Sequence, residues 1–173
     1  MFANFRNRHR WLFQFSVLCG CLLLTSCSYH YDGEGNRKLL PCPLQELPYE
    51  IDGTVQDVWV GNEFQMEVGE HTHYIVLQGV NNPDSIRRHE DMSYDKLKSL
   101  LSDCIVHVNV NLRDERKRGV GRVYVGDMDV NLEMVLTGMG RYDGSVFTGW
   151  ESFKSAEDSA KHQKLGIWAD LDE

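Results

Sequence analysis

The spacing of apolar residues predicts a β-rich body in this 173-residue chain. Phe64, Met66 and Val68 alternate with acidic and amide residues, which is typical of a strand with one buried face. The same criterion predicts five strands separated by turn-forming residues: 51–60, 63–68, 74–80, 106–110 and 120–125.

Apolar residues three or four apart predict helices after the third and fifth strands. We expect one helix over Ser93–Leu101, with Ser93 as its N-cap. A second is expected over Asp129–Leu136, closed by Gly138 or Gly140.

A third helix is predicted to open at residues 148–151, where Thr148 and Glu151 have capping-box spacing, and to end at Gly166. Its inner face and the turn that folds back on it are assigned to six residues: Phe153, Ala156, Ala160, Gln163, Ile167 and Trp168. The order β-β-β-α-β-β-α-α indicates an α+β, mainly β, protein built on a small Greek-key barrel.

The N-terminus has the pattern of an export signal. Three arginines precede an apolar stretch, 11–24, which is shorter than the ~20 residues of a membrane-spanning helix. Leu24-Thr25-Ser26-Cys27 resembles the bacterial lipobox, in which the cysteine becomes the acylated N-terminus. The resemblance implies a palmitoylated Cys27 that holds the protein on a bilayer, on the outer membrane or another extracytoplasmic face. A short membrane anchor and a plain cleaved signal are the alternatives.

Charge argues against nucleic acid as a partner. Removing a signal peptide over 1–26 takes three of the 18 Lys and Arg residues and none of the 26 acids, so the formal net charge becomes −11. Non-specific binding of DNA or RNA depends on a cationic surface. We expect residues 27–49, rich in Gly, Pro and polar residues, to form a tether and 50–170 to form one domain.

Two cysteines, Cys42 and Cys104, remain in the domain and tether once the signal and Cys27 are set aside. In an exported protein such a pair predicts one disulfide, with two buried thiols as the alternative.

Three stretches, residues 58–64, 79–84 and 156–168, together resemble the staphylococcal nuclease (thermonuclease) family. Residues 58–64, Val-Trp-Val-Gly-Asn-Glu-Phe, resemble its first hairpin, and residues 79–84, Gly-Val-Asn-Asn-Pro-Asp, resemble its Gly-Ile-Asp-x-Pro-Glu loop. The run from Ala156 to Trp168 resembles its Ala-Glu-x-x-Ala-Lys…Gly-Ile-Trp ending. The resemblance implies a five-stranded OB-fold barrel with three helices.

Members of that family hydrolyse phosphodiesters with Ca²⁺, two metal-binding carboxylates, two phosphate-binding arginines and a glutamate near the attacking water. The metal-carboxylate positions match Asn62 and Asn81, and Asn82 replaces a residue that binds through its backbone carbonyl. The first arginine position matches Val76. Two remnant catalytic positions are left: Asp84, in place of the glutamate or simply an ordinary loop acid, and Arg118, which is either the second arginine or a solvated turn residue.

A one-residue shift in the first hairpin would instead place Glu63 in the metal pocket, but it would turn Phe64 and Met66 outward. His71 and His73 share a strand face and could bind zinc or copper with a third ligand, or simply be solvated. Aromatic residues between Tyr142 and Trp150 could line a groove or cover the core.

Two functions are therefore in competition. A degenerate site and an acidic surface favour a non-catalytic binding or structural module, a pseudoenzyme without a cofactor, anchored at the cell envelope. The alternative is a weak or altered Ca²⁺-dependent nuclease acting on single-stranded nucleic acid.

Overall fold

A computed structural model describes residues 30–31, 37–38, 46–83, 86–145 and 150–169. It divides the chain into two units, Met1–Leu40 and Pro41–Glu173. In the first unit, His30–Tyr31 pairs antiparallel with Arg37–Lys38. The predicted signal peptide lies outside the described residues, and the boundaries at 26 and 49 stay predictions.

Five strands of the second unit form a closed, mixed barrel: β1 Tyr49–Val60, β2 Glu63–Val68, β3 His71–Leu77, β4 Ile105–Arg113 and β5 Gly119–Val125. They are hydrogen-bonded in the order β3-β2-β1-β4-β5, and neighbours in this order run antiparallel. Parallel pairing of β3 with β5 closes the barrel. Two register irregularities bend β1, which is long enough to pair with both β2 and β4. The predicted OB-like α+β fold is confirmed.

The barrel interior confirms the register expected for the first hairpin. Phe64 and Met66 are 1% and 0% exposed, and they lie opposite Ile75 and His73 of β3. Because side chains alternate along a strand, the shifted alignment that would place Glu63 inward is wrong.

Three helices surround the barrel: α1 Arg87–Leu101, α2 Val130–Leu136 and α3 Glu151–His162, followed by a 3-10 turn over Gly166–Trp168. The prediction that Ser93 caps α1 is wrong, because the helix begins six residues earlier. Ser93 is fully buried, and its hydroxyl donates to the Met139 carbonyl. The hydroxyl that was expected to cap the helix therefore bonds to a carbonyl that is distant in sequence.

The start of α3 also differs from expectation. Trp150, not Thr148, is its N-cap residue, and no side chain caps it; Thr148 lies outside the described residues. The Trp150 ring packs on Gly79 and 4.7 Å from the Phe153 ring, so aromatic packing positions this terminus. Gln163, expected on the inner face, is exposed at the C-cap, because the helix ends at His162.

The structure confirms the predicted limits of α2 and the predicted turn at residues 166–168 that folds back. Asp129 caps α2 by accepting from the Leu132 amide, and Gly138 follows with a φ of 70°. The Ile167 amide donates to the Gly138 carbonyl (2.9 Å), so the last turn is bonded to the end of α2. Ile167 and Trp168 are buried with Ala160.

Asn131 connects α2 to the barrel. It is fully buried; its Oδ1 accepts from the Val123 amide, and its Nδ2 donates to the carbonyls of Gln78 and Gly121. Gln78 directly precedes the segment that carries Asn81 and Asn82. The network therefore fixes the base of the segment on which the candidate site stands.

Candidate functional site

The expected site lies where the β1–β2 turn meets the segment after β3. The Asn62 side chain donates to the Val80 carbonyl (2.9 Å), and the Asn62 carbonyl accepts from the Leu77 amide (2.9 Å). Asn81 follows Val80 and is exposed, in a two-residue antiparallel pairing with Arg141. The fold thus brings the two metal-carboxylate positions to neighbouring places.

Asn82 has a different environment from Asn81. Its Oδ1 is buried and has no hydrogen-bond partner among the described residues. It faces the backbone of Gly61, where an added Cβ would lie 2.8 Å from it. This buried carbonyl oxygen belongs to the side chain, whereas the family ligand at the position is a backbone carbonyl.

These positions present neutral amides. Ca²⁺ is held by six to eight oxygen ligands that include carboxylates. Within the described ranges, no group of three or more His, Cys, Asp or Glu side chains is placed to hold a metal ion. The donor chemistry of Asn62 and Asn81 therefore does not match a calcium site. Asp84 lies outside the described residues, so its role stays a prediction.

Arg118 is held by two carboxylates of its own chain. Its Nε donates to Asp114 Oδ2 (2.6 Å), and its Nη1 donates to Glu63 Oε2. The three side chains are only 17%, 24% and 23% exposed, in the order Arg118, Asp114, Glu63. Arg118 is therefore neither a freely solvated turn residue nor a guanidinium with open donors on all sides.

The Asp114–Arg118 turn is rigidly hydrogen-bonded. The Arg118 amide donates to Asp114 Oδ1 (2.9 Å), and the Lys117 amide donates to the Asp114 carbonyl (2.9 Å). Partial burial alone would raise the pKa of Asp114, but the hydrogen bonds from the Arg118 amide and guanidinium outweigh it and lower that pKa. Burial opposes the charge on Arg118, yet Asp114 and Glu63 together raise its pKa.

Val76 stands beside this cluster. In the sheet it lies directly opposite Glu63 of β2 on one side and Val120 of β5 on the other. An isopropyl group thus occupies the position matched to the first phosphate-binding arginine. Sequence reasoning assigned no partner to Arg118; the alternation that points Phe64 inward could have indicated that Glu63 points outward, toward the Arg118 turn.

The other sequence candidates are separate from this site. Burial, then His71 and Arg113, lower the pKa of His73.

Cys104 is a half-buried free thiol; Cys42 lies outside the described residues, and the disulfide stays a prediction. Tyr142 and Trp150 pack against the main core, as expected for a covering role, while Phe147 lies outside the described residues.

Comparison with known proteins shows the family to which this chain belongs. Residues 74–170 match the family model described as staphylococcal nuclease homologue, and they make up more than half of the chain. The chain belongs to the staphylococcal nuclease family. The match begins within β3, extends past the closing 3-10 turn and includes the positions of Val76, Asn81 and Arg118.

Curated relatives carry endonuclease names. The chain is 32% identical over 154 residues to "Probable endonuclease LCL3" of Phaeosphaeria nodorum, covering 80% of this chain and 49% of that protein. It is 35% identical over 81 residues to the protein of that name in Colletotrichum graminicola, covering 42% of this chain and 30% of the relative. An "Uncharacterized endonuclease" of Escherichia coli is 29% identical over 145 residues, which cover 79% of this chain and 92% of the relative. The chain thus spans half or less of the length of the two LCL3 proteins.

Proposed function

We propose that this protein is a non-catalytic member of the staphylococcal nuclease family, used as a binding or structural module at the cell envelope. The observation that carries the proposal is the binding of Arg118 by Glu63 and Asp114. A guanidinium recognises a phosphoryl group through two parallel N–H donors. Here its Nε and Nη1 already donate to carboxylates, which would also repel an approaching phosphate.

The remaining positions support the same proposal. Asn62 and Asn81 lack the two formal charges that would neutralise Ca²⁺, and Val76 has no donor for a phosphoryl oxygen. Loss of one transition-state donor typically lowers a rate by about 10²–10³-fold. Such losses are not additive, but together they leave little of the chemistry of phosphodiester hydrolysis.

The direct test is hydrolysis of single-stranded DNA and RNA by the full-length protein, purified in detergent, with Ca²⁺ and with a chelator. We expect no chelator-sensitive turnover. An active member of the family, assayed in the same detergent, shows that the conditions permit cleavage. Chelator-sensitive turnover near that of the active member would refute the proposal.

A matched variant tests the metal chemistry separately. We expect millimolar Ca²⁺ to leave the thermal midpoint of the native protein unchanged, because a ligand stabilises only a state that binds it. The N62D/N81D variant restores the two carboxylates and should gain a Ca²⁺-dependent shift. A shift of similar size in the native protein would show that amides suffice and would contradict the proposal.

A weak or altered metal-dependent nuclease is the second candidate. It is favoured by the endonuclease names of the relatives. It predicts slow turnover that falls further in the Arg118→Ala variant, whereas the first candidate predicts that this variant and the native protein are equally inactive.

We infer the envelope location from the sequence of the N-terminus. Cys27 lies outside the described residues, and no helix within the described part of the chain is long and apolar enough to span a membrane. Labelled palmitate should enter the native protein and not the Cys27→Ser variant, which should also leave the membrane fraction. Equal labelling and fractionation of the two proteins would exclude acylation at Cys27.

A further inference from the structure

An exposed aromatic pair lies on the outer face of the three-stranded part of the barrel. Trp59 of β1 and Tyr74 of β3 are 45% and 44% exposed, and their ring centroids are 5.1 Å apart. Neither residue belongs to the hydrophobic core. Large aromatic side chains at this exposure are costly to leave in water and are enriched at interfaces.

Both side chains point outward by the ordinary alternation of their strands. Trp59 follows the buried Val58, and Tyr74 precedes the buried Ile75. Tyr74 lies two residues before Val76, so both face outward from β3. The half-buried Val76 thus lies on the same face of β3 as Tyr74 and brings no charge to it.

The same strands are strongly acidic. Residues 49–77, which include β1, β2 and β3, contain six Asp or Glu residues and no Lys or Arg. Asp52 is paired with His107 and Glu63 with Arg118, so four further acids give these strands their negative charge. The nearby cations have other partners: Lys98 donates to the Tyr94 hydroxyl, and Arg118 is held by Glu63 and Asp114. Among the described residues, the arginines that stack on rings lie over other aromatics: Tyr49, Trp150 and Trp168.

We propose that the Trp59–Tyr74 surface binds an arginine side chain within a basic peptide segment of a partner protein. The proposal rests on the non-catalytic role and names its partner chemistry. A guanidinium stacks on aromatic faces, and the surrounding carboxylates attract its charge. The protein uses this contact internally: Arg122 lies 4.8 Å from the Trp150 ring centre and Arg113 lies 5.3 Å from that of Tyr49.

The test is a titration of a fluorescent peptide of repeating Gly, Ser and Arg against the full-length protein in detergent, followed by anisotropy. We expect saturable binding that weakens with salt. Each of W59Q and Y74Q should weaken it about two- to five-fold, the effect of losing one exposed cation–π contact. L136Q is the matched control, because Leu136 is 44% exposed on α2, and it should bind like the native protein.

A peptide with citrulline in place of arginine keeps the planar group and removes the charge, and it should not bind. Equal binding of the two peptides, or of native protein and the W59Q/Y74Q variant, would overturn the inference. Aromatic-dependent binding of a chitin oligosaccharide without arginine binding, or dimerisation lost in W59Q/Y74Q, would assign the surface to a glycan or a second copy and also overturn it. Nuclease assays on the same preparations separate the two proposals: cleavage refutes the non-catalytic role, whereas a negative titration without cleavage refutes only this partner.

Discussion

The two asparagine-bearing regions of this barrel have opposite environments. Asn131, in α2, is fully buried and makes three hydrogen bonds to backbone groups. Asn62 makes one side-chain bond at the tip of the first hairpin, and Asn81 is exposed. Asn131 is thus held by packing and backbone hydrogen bonds, whereas Asn62 and Asn81 stand at the positions matched to the family's metal-binding carboxylates.

The difference shows that the packing of the core and the chemistry of a site restrict different residues. A residue that satisfies buried backbone groups has few substitutes, because leaving those groups unpaired is costly. A residue at an exposed tip contributes little to stability and can change once its chemistry is no longer needed. Under the proposed non-catalytic role, the fold can therefore persist while the residues at its site change.

The largest effect should come from Gly138→Ala in the packed region. Gly138 has a φ of 70°, and an added Cβ would lie 2.3 Å from the Leu165 carbonyl oxygen. We expect a loss of about 3–4 kcal/mol in the free energy of unfolding by urea, from backbone strain plus a forced shift of the closing turn. Gly126→Ala is the control: its φ is 57° and its Cβ would meet nothing within 4 Å, so it should cost about 1–2 kcal/mol. Equal losses would show that the closing turn yields freely.

Asn131→Ala should follow, with a loss of about 2–3 kcal/mol in the same measurement. The substitution leaves the Val123 amide buried without its acceptor and removes two donors from the carbonyls of Gln78 and Gly121. A loss no greater than that of Asn81→Ala would contradict the contrast between the two regions.

Asp114→Asn should cost about 1 kcal/mol at neutral pH, because a charged acceptor of Arg118 becomes neutral. The folded state lowers the pKa of Asp114, so its contribution is present above the unfolded pKa of about 3.9 and is lost as the pH falls through the lower folded value. The stability difference between native protein and variant should therefore shrink in unfolding experiments between about pH 5 and pH 2. A difference that grows on acidification would reverse the sign and exclude this account.

Asn62→Ala should cost less than the changes above, about 1 kcal/mol at most, because it removes one partly buried hydrogen bond to the Val80 carbonyl. Asn81→Ala, at an exposed position, should stay within about 0.5 kcal/mol of the native protein. If either substitution lowered the free energy of unfolding as much as Asn131→Ala, these asparagines would be needed for the stability of the fold, and the contrast between the two regions would fail.

Much of the fold was predictable from local pattern. Periodicity predicted all five barrel strands, although the third runs over His71–Leu77 and not over 74–80, and Asp129 and Gly138 marked the limits of α2 as the structure has them. The first residues of the helices were harder to predict from the sequence. Ser93 has the chemistry of a cap, but its hydroxyl bonds to Met139, 46 residues away, and no local rule contains that partner.

The candidate site was predictable only in its residue types. Sequence comparison indicated amides at 62 and 81 and valine at 76. It left open whether Arg118 was solvated, because its partner Glu63 lies 55 residues away, on another strand.

By itself, the amino-acid sequence predicted the barrel, the buried face of its first hairpin and the neutral side chains at positions 62, 76 and 81, since these depend on side-chain periodicity and on residue identity. Only the tertiary structure decided which carboxylates hold Arg118 and that Trp59 and Tyr74 form one surface. Both depend on strands distant in sequence coming side by side, and barrel closure rather than local preference sets that proximity.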